Sequence, residues 1–230
     1  MRQRKIKDVE QKLAVHENLL VRDPVAQNGN WRGLFSCGEM AASPEDVPAD
    51  RKRLYLEIGC GKGQFITAQA GRDPRGAYVA VEGLISVIYR AVVKAEEAGL
   101  TNVRFLPAYI REMDEFFADG ELDGIFLNFS DPWPKGRNYK RRLTYEGRLR
   151  QYARALAPGG LIRFKTDNEA LFAFTEEQIA LCAEEAGLEV LALTHDLHAS
   201  PYAADSPATE YEDKFVAEGK KIHYVELRKR

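Results

Sequence analysis

A glycine-rich segment near position 60 lies close to two acidic residues. The segment is LEIGCGKG at positions 56–63, and Glu82 follows Gly61 by 21 residues. Glycine permits positive φ angles and lets the backbone approach a ligand closely, which we expect of Gly59, Gly61 and Gly63. The Glu57 carboxylate would repel a pyrophosphate but attract a sulfonium or ammonium group, and Glu82 could accept hydrogen bonds from both hydroxyls of a ribose. This spacing predicts a site for a cationic cofactor such as S-adenosylmethionine.

A second polar segment, LNFSDPWPK at positions 127–135, combines an acid, an aromatic ring and a cation. Its two prolines restrict the backbone and hold their neighbours out of a helix, so we expect the loop to present Asp131 and Lys135. Trp133 could stack on a ligand, but we expect its ring to be buried in the turn. A rigid loop with these residue types is a candidate part of an active site. We expect a bound base to meet the cofactor beside Asp131.

Positive charge is concentrated directly after this loop. Residues 135–150, KGRNYKRRLTYEGRLR, hold seven basic side chains against one acid, whereas the whole chain has a formal net charge of -2. Smaller basic clusters lie at 2–12 and at 220–230. A separated positive region on a mildly acidic protein indicates a polyanionic partner that binds at one face. The alternative is a set of three solvated surfaces without a common partner.

Short apolar runs alternate with longer amphipathic ones, which predicts the elements that position these groups. Strands are expected at 53–58, 77–82, 102–106, 122–129, 161–166, 188–194 and 222–228, with helices between most of them. This alternation predicts an α/β fold with a doubly wound, mostly parallel, Rossmann-like sheet. Ligands of such sheets bind beyond the carboxyl ends of the strands, where both polar segments fall. We expect an N-terminal arm and linker at 1–52 and one sheet domain at 53–230.

Composition excludes several classes of protein. The 230 residues are 45% hydrophobic and 30% charged, as in a folded domain, and no apolar run reaches the roughly 18 residues of a membrane span. The charged N-terminus lacks the apolar stretch of a signal peptide, so we expect a cytoplasmic protein. Cys37, Cys60 and Cys182 lie too far apart to indicate a zinc site or a disulfide framework. His195 and His198 lack a third ligand, and no metal is predicted.

Several motifs together resemble known enzyme families. The glycine segment, its two acids and a turn expected at Ala157-Pro158-Gly159-Gly160 are similar to those of class I S-adenosylmethionine-dependent methyltransferases. The D-P-W-P-K loop with its trailing basic residues, KTDN at 165–168 and TEYE at 209–212 resemble the bacterial tRNA (guanine-N7-)-methyltransferases from about Gly29 to the C-terminus. The resemblance implies methyl transfer to N7 of a guanine in the variable loop of tRNA, which forms 7-methylguanosine.

The resemblance also implies a role for individual residues. Contacts with S-adenosylmethionine are implied for Glu57, Glu82 and Asp131, and Asp131 is implied to be catalytic. Contacts with the substrate are implied for Lys135, Asp167, Thr209, Glu210, Tyr211 and Glu212. Contacts along the RNA are implied for Arg137, Lys140, Arg141 and Arg142. Related proteins include monomers and homodimers, so the oligomeric state stays open.

Two positions depart from the family pattern. An acidic residue followed by alanine is usual after the third strand, beside the adenine, whereas this chain has Tyr109 and Ile110. The loop commonly continues K-R-H where Gly136-Arg137-Asn138 stands here, so one cation and one imidazole are missing. Adenine contacts and RNA affinity are the properties that these changes affect.

Two of the later motifs also have local structural explanations. Asp167 could be the N-cap of a helix that begins near Glu169. Thr209 and Glu212 match a T-x-x-E capping box at the start of another helix. Either role can coexist with a ligand contact.

Rival functions share part of the pattern. A methyltransferase that acts on another RNA or on a small molecule needs the cofactor motifs, and a small-molecule enzyme has no need of the basic run. A nucleotide-binding dehydrogenase is disfavoured by Glu57 and by the lack of a clear G-x-G-x-x-G pattern. The third alternative is an RNA-binding module without methyltransferase activity.

Overall fold

A computed structural model describes residues 6–35, 52–205 and 207–230 of the chain. The chain divides into two compact units, Met1–Ala118 and Asp119–Arg230, called the first and second units below. Most of the predicted linker, residues 36–51, lies outside the described residues, as does Cys37. The predicted division into an arm at 1–52 and a sheet domain at 53–230 stays a prediction.

The described part of the first unit has parallel strands with flanking helices. The strands are β1 (Leu54–Ile58), β2 (Ala77–Val81) and β3 (Val103–Leu106). The helices are α1 (Val9–Ala14), α2 (Gln64–Arg72) and α3 (Ile85–Glu97), and short 3₁₀ turns span Glu17–Leu19, Val25–Gln27 and Trp31–Phe35. β2 lies between β1 and β3 and pairs with both in parallel.

Burial in the first unit follows the apolar pattern of its elements. Every residue of β2 is buried, and so is every residue of β1 except Tyr55, as expected of parallel strands covered on both faces. The buried face of α3 is spaced at intervals of three and four residues, as in one stripe of a helix: Val87, Ile88, Ala91, Val92 and Ala95. Alternation of β1, α2, β2, α3 and β3 is the predicted βαβ arrangement.

The described N-terminal residues pack on the rest of the first unit. Trp31 is fully buried, its Nε1 donates to the Phe116 carbonyl at 2.6 Å, and its ring stacks on Phe117 with centroids 5.0 Å apart. Leu20 forms an isolated parallel bridge with Phe105 of β3. The predicted N-terminal extension therefore contributes side chains to the core of this unit.

The second unit contains the remaining strands and helices. The strands are β4 (Leu122–Asn128), β5 (Leu156–Thr166), β6 (Leu188–Thr194) and β7 (His223–Lys229). The helices are α4 (Glu146–Ala155), α5 (Glu169–Ala186) and α6 (Glu210–Ala217), with 3₁₀ turns at Gly136–Arg141 and Pro201–Asp205. β4 pairs with β5 in parallel, whereas β7 is antiparallel to both β5 and β6.

The fifth strand begins earlier than the sequence predicts. Leu122 pairs with Leu156 and Gly124 pairs with Leu161, so residues 157–160 bulge out of the β4–β5 ladder. Gly159 in this bulge has a φ of 82°, which the missing side chain permits. The turn expected here is thus a bulge within β5, because β5 pairs with β4 both before and after it.

The predicted fold class, α/β with a doubly wound and mostly parallel sheet, is confirmed. Each predicted strand is present with bounds that shift by at most one residue, apart from the earlier start of β5. Within the described ranges, none of the helices combines the length and apolar character needed to cross a membrane.

Candidate active site

The glycine loop of the first unit follows β1 directly. Gly59, Gly61 and Gly63 have φ angles of 81°, 57° and 80°, which only glycine adopts without strain. The amides of Gly59 and Cys60 donate to the Val81 carbonyl at 2.8 and 2.9 Å and so close the loop against β2. The loop is therefore fixed by the end of the neighbouring strand.

The glycines of this loop serve two different purposes. A Cβ on Gly63 would lie 2.7 Å from the Cβ of Ala91, so this glycine lets α3 pack closely. A Cβ on Gly59 or Gly61 would meet no atom within 4 Å. The backbone at these two positions borders open space, which gives room for a cofactor.

Two carboxylates of the first unit lie at the ends of the strands beside the loop. Glu57 is buried at the end of β1, and Glu82 is partly exposed after β2, where its Oε1 accepts a hydrogen bond from the Leu84 amide at 2.8 Å. Burial raises the pKa of the Cys60 thiol well above its usual range, and the charges of Glu57 and Glu82 raise it further. Cys60 is therefore a protonated thiol rather than a nucleophile, and the field in the loop favours a cation.

Tyr109 is the departure from the family pattern that the structure makes visible. Ile110 is buried, whereas Tyr109 is 67% exposed and its ring covers Gly83. A Cβ on Gly83 would lie 2.0 Å from the ring carbon Cζ of Tyr109, so a larger residue at position 83 would displace the ring. Tyr109 therefore places an aromatic ring against Gly83, which directly follows Glu82, and this packing could not be predicted from the sequence.

The loop after β4 in the second unit has an unusual backbone. Phe129 and Trp133 have φ angles of 49° and 42°, which are rare for residues with a side chain, and they lie on either side of the exposed Asp131. Such a conformation costs on the order of 1–3 kcal/mol at each position and persists only where surrounding contacts hold it. The Phe129 amide donates to the Lys165 carbonyl at 2.9 Å, which anchors the start of the loop on β5.

Two arginines of the basic run contact this loop. Arg142 donates to the Pro132 carbonyl at 2.9 Å and to the Trp133 carbonyl at 3.3 Å. The Arg141 guanidinium lies 4.9 Å from the centre of the Trp133 ring. The prediction that Trp133 is buried is wrong, because its ring is half-buried beneath Arg141. Lys135, Arg137 and Lys140 are exposed.

Lys165 and Glu212 form a buried ion pair in the second unit. The Lys165 Nζ and a Glu212 carboxylate oxygen are 2.6 Å apart, and both side chains are 2% exposed. Lys165 also donates to the Pro207 carbonyl at 2.8 Å, and His198 Nε2 lies 3.1 Å from the other Glu212 oxygen. The sequence assigned no role to Lys165, although a lysine within an apolar strand signals a buried anionic partner.

The capping box at the start of α6 is present as predicted. The Glu212 amide donates to Thr209 Oγ1 at 2.9 Å, and the Thr209 amide donates to the Glu212 carboxylate at 3.3 Å. Glu210 is partly exposed, and Tyr211 is 52% exposed with its ring stacked on Phe215. Of the four predicted substrate residues here, Thr209 and Glu212 point into the protein.

Asp167 is not the N-cap of α5. That place is taken by Asn168, whose side chain accepts a hydrogen bond from the Leu171 amide at 2.8 Å. The Asp167 carboxylate instead lies 3.1 Å from the Lys220 Nζ, and Lys220 in turn lies 4.2 Å from the centre of the Phe215 ring. Asp167 is therefore linked through Lys220 to Phe215, the residue on which the Tyr211 ring stacks.

The described residues hold no group of three or more metal-binding side chains. His195 and His223 have ring centroids 5.3 Å apart, and His223 stacks on Phe172 at 4.9 Å. Burial lowers the pKa of His223, with a further contribution from His195. This cluster is packed as an aromatic group rather than arranged around an ion.

Sequence comparisons identify relatives of the whole chain. A family model described as "Putative methyltransferase" matches residues 51–225. A tRNA (guanine-N(7)-)-methyltransferase of Lactococcus lactis subsp. cremoris (strain SK11) is 39% identical over 229 residues, 99% of this chain and 98% of that protein. One of Geobacillus kaustophilus (strain HTA426) is 40% identical over 215 residues, 94% of this chain and 91% of that protein.

Solved structures with low sequence identity share the fold. The crystal structure of the 16S rRNA methyltransferase KamB superposes with a TM-score of 0.56 at 15% identity and covers 77% of this chain and 87% of that chain. A structure titled as an antibiotic-related methyltransferase gives a TM-score of 0.53 at 15% identity, with 99% and 96% covered. Since the family match spans most of the chain and the relatives align along almost all of it, the chain belongs to the bacterial tRNA (guanine-N(7)-)-methyltransferase family.

Proposed function

We propose that this protein transfers the methyl group of S-adenosylmethionine to N7 of a guanine in the variable loop of tRNA and so forms 7-methylguanosine. The observation that carries the proposal is the 39% identity, along 99% of the chain, to a protein named for methylation of guanine N7 in tRNA. A tRNA substrate also fits the predicted cytoplasmic location. The alternative is an S-adenosylmethionine-dependent methyltransferase for another RNA or a small molecule, and the exposed basic residues after β4 favour RNA.

The residues of the first unit suit S-adenosylmethionine. Open space beside Gly59 and Gly61 accommodates a ligand against the backbone, and the two nearby carboxylates favour a positive charge. We assign attraction of the cationic part to Glu57 and hydrogen bonds with the ribose hydroxyls to Glu82. When bound, S-adenosylmethionine supplies an electrophilic methyl group on a positively charged sulfur.

Guanine N7 sets the chemical demands on the protein. N7 carries an exposed lone pair, so no general base has to remove a proton before the methyl group is transferred. Catalysis then depends on positioning, with the reacting atoms about 3 to 3.5 Å apart before reaction. Positive charge develops on the purine, and a carboxylate that accepts hydrogen bonds from its N1 and N2 donors would stabilise this charge. We assign this role to Asp131, which is exposed on its loop and which the resemblance also implies contacts the cofactor.

The remaining predicted residues divide by their exposure. Lys135, Arg137 and Lys140 are exposed and suit contacts with phosphates. Asp167 and Glu210 are partly exposed and Tyr211 is exposed, so these three side chains suit contacts with the substrate itself. Thr209 and Glu212 are buried, so we propose that they act by fixing the start of α6. The homodimer that the resemblance allows stays a prediction, which sedimentation of the purified chain tests.

Methylation of bulk tRNA tests the proposed reaction. The purified protein is incubated with tRNA and with S-adenosylmethionine labelled in its methyl group, and the tRNA is then digested to nucleosides. Label in 7-methylguanosine, mapped to the variable loop, is the expected result. Label in another nucleoside contradicts the assignment to N7, and label only in other RNA or in small molecules establishes the alternative.

Glu82→Gln is expected to weaken binding of S-adenosylmethionine about 10- to 100-fold, because hydrogen bonds to a charged acceptor contribute about 1.5–3 kcal/mol. The amide oxygen of glutamine can still accept the hydrogen bond from Leu84, so the fold should not change. Calorimetric titration measures the affinity. Glu97→Gln, an exposed acid at the end of α3, is the control that should bind as the wild type does. Equal affinities for both variants would remove Glu82 from the cofactor site.

A further inference from the structure

Arg142 differs from the other members of the predicted RNA-contacting set in what its guanidinium touches. It donates from Nε to the Pro132 carbonyl at 2.9 Å and from a terminal nitrogen to the Trp133 carbonyl at 3.3 Å. Its flat face lies 4.3 Å from the centre of the Phe174 ring on α5. The side chain is partly buried, whereas Arg137 is exposed. Arg142 thus links the D-P-W loop to a helix of the same unit.

The two carbonyls that Arg142 holds follow Asp131 directly in the chain. Trp133 has the left-handed φ of 42°, and a conformation of this kind needs outside contacts to persist. Two parallel donors on a planar group fix the orientation of both peptide planes, which a single point charge cannot do. The Arg141 guanidinium also contacts this residue, 4.9 Å from the centre of the Trp133 ring.

We propose that Arg142 is a positioning residue for Asp131, and that it fixes the loop for catalysis rather than contributing to tRNA affinity. The proposal rests on the proposed function, since it needs Asp131 to act in methyl transfer. It divides the basic run into two groups with different tasks. Arg142 holds the backbone of the loop by hydrogen bonds, whereas Arg137 and Lys140 contact the phosphates of the RNA.

Arg142→Ala is expected to lower kcat for tRNA methylation on the order of 10- to 100-fold, as small displacements of a catalytic group do. The KM for tRNA and the slope of log affinity against log salt concentration should stay at wild-type values. Arg137→Ala should instead weaken tRNA binding and reduce the slope by about 1, because one phosphate contact is lost.

Arg142→Lys separates charge from geometry. A lysine keeps the positive charge but cannot present two donors in the same plane, so kcat should stay well below wild type. Phe174→Leu removes the ring beneath the guanidinium without altering charge, and kcat should fall in the same direction. Wild-type kcat in Arg142→Lys, or a reduced salt slope with unchanged kcat in Arg142→Ala, would overturn the proposal.

Trp133 fluorescence tests the same contact without any activity measurement. Arg142→Ala should shift the emission of the half-buried Trp133 to longer wavelength, while Trp31 stays buried in the first unit and gives an unchanged background. Unchanged emission in Arg142→Ala contradicts the proposed hold on the loop. Absence of tRNA methylation by the wild-type protein, in contrast, contradicts the proposed function. The fluorescence result would then still show whether Arg142 holds the loop.

Discussion

Asp131→Asn is expected to lower kcat for tRNA methylation by about 100-fold or more, the loss that follows removal of one group stabilising developing charge. Asparagine has the same shape and one of the two oxygens, but it lacks the negative charge that the methylated purine requires. The exposed position of Asp131 means that the fold should be unaffected. Single-turnover methylation with saturating tRNA measures the chemical step directly.

Asp119→Asn is the matched control for this experiment. Asp119 is an exposed acid of the same unit that precedes β4 instead of following it, so kcat should not change. Retained circular dichroism in both variants excludes misfolding as the cause. A kcat for Asp131→Asn within a few-fold of wild type would show that the carboxylate has no such role.

Lys165→Met is expected to destabilise the protein by about 3–5 kcal/mol, because it leaves the Glu212 carboxylate buried without its main cation. For a chain of this length such a loss lowers Tm by roughly 6 to 20 °C. Glu212 keeps the Thr209 amide and the nearby His198, so the capping box should retain part of its structure. Thermal unfolding followed by circular dichroism measures the effect.

Two further variants test whether stability is lost because a buried ion pair is broken or because any lysine is removed. Lys165→Met combined with Glu212→Leu removes both charges and should recover much of the stability, since an apolar pair can replace a buried ion pair. Lys220→Met breaks the more exposed pair with Asp167 and should cost no more than about 1 kcal/mol. Equal losses for Lys165→Met and Lys220→Met would show that burial does not determine the cost.

The glycine loop and the strands could be predicted because their causes are local. Positive φ angles at Gly59, Gly61 and Gly63 follow from residue type, and the apolar runs of β1 and β2 indicate strands buried on both faces. The capping box of α6 could be predicted for the same reason, as its partners are three residues apart. These features need no knowledge of which distant segments meet.

Contacts between distant residues could not be predicted. Lys165 and Glu212 are 47 positions apart, and only the fold of the second unit brings them together. The difference between Arg142 and Arg137 is likewise invisible in a basic run, because it depends on where Phe174 and the loop carbonyls lie. The N-cap of α5 is Asn168 and not Asp167. The sequence leaves this choice open, because both side chains can cap a helix.

A copy of this gene that had lost its activity but still had to fold would keep Glu212, because Lys165 would otherwise retain a buried charge alone. Selection for folding is thus sufficient to preserve T-x-x-E, even in a protein that no longer modifies RNA. Asp131 is exposed and contributes nothing comparable to the core, so it is free to drift once methylation is no longer needed. Among diverged copies, those with an altered residue at position 131 but an intact T-x-x-E would therefore be the inactive ones.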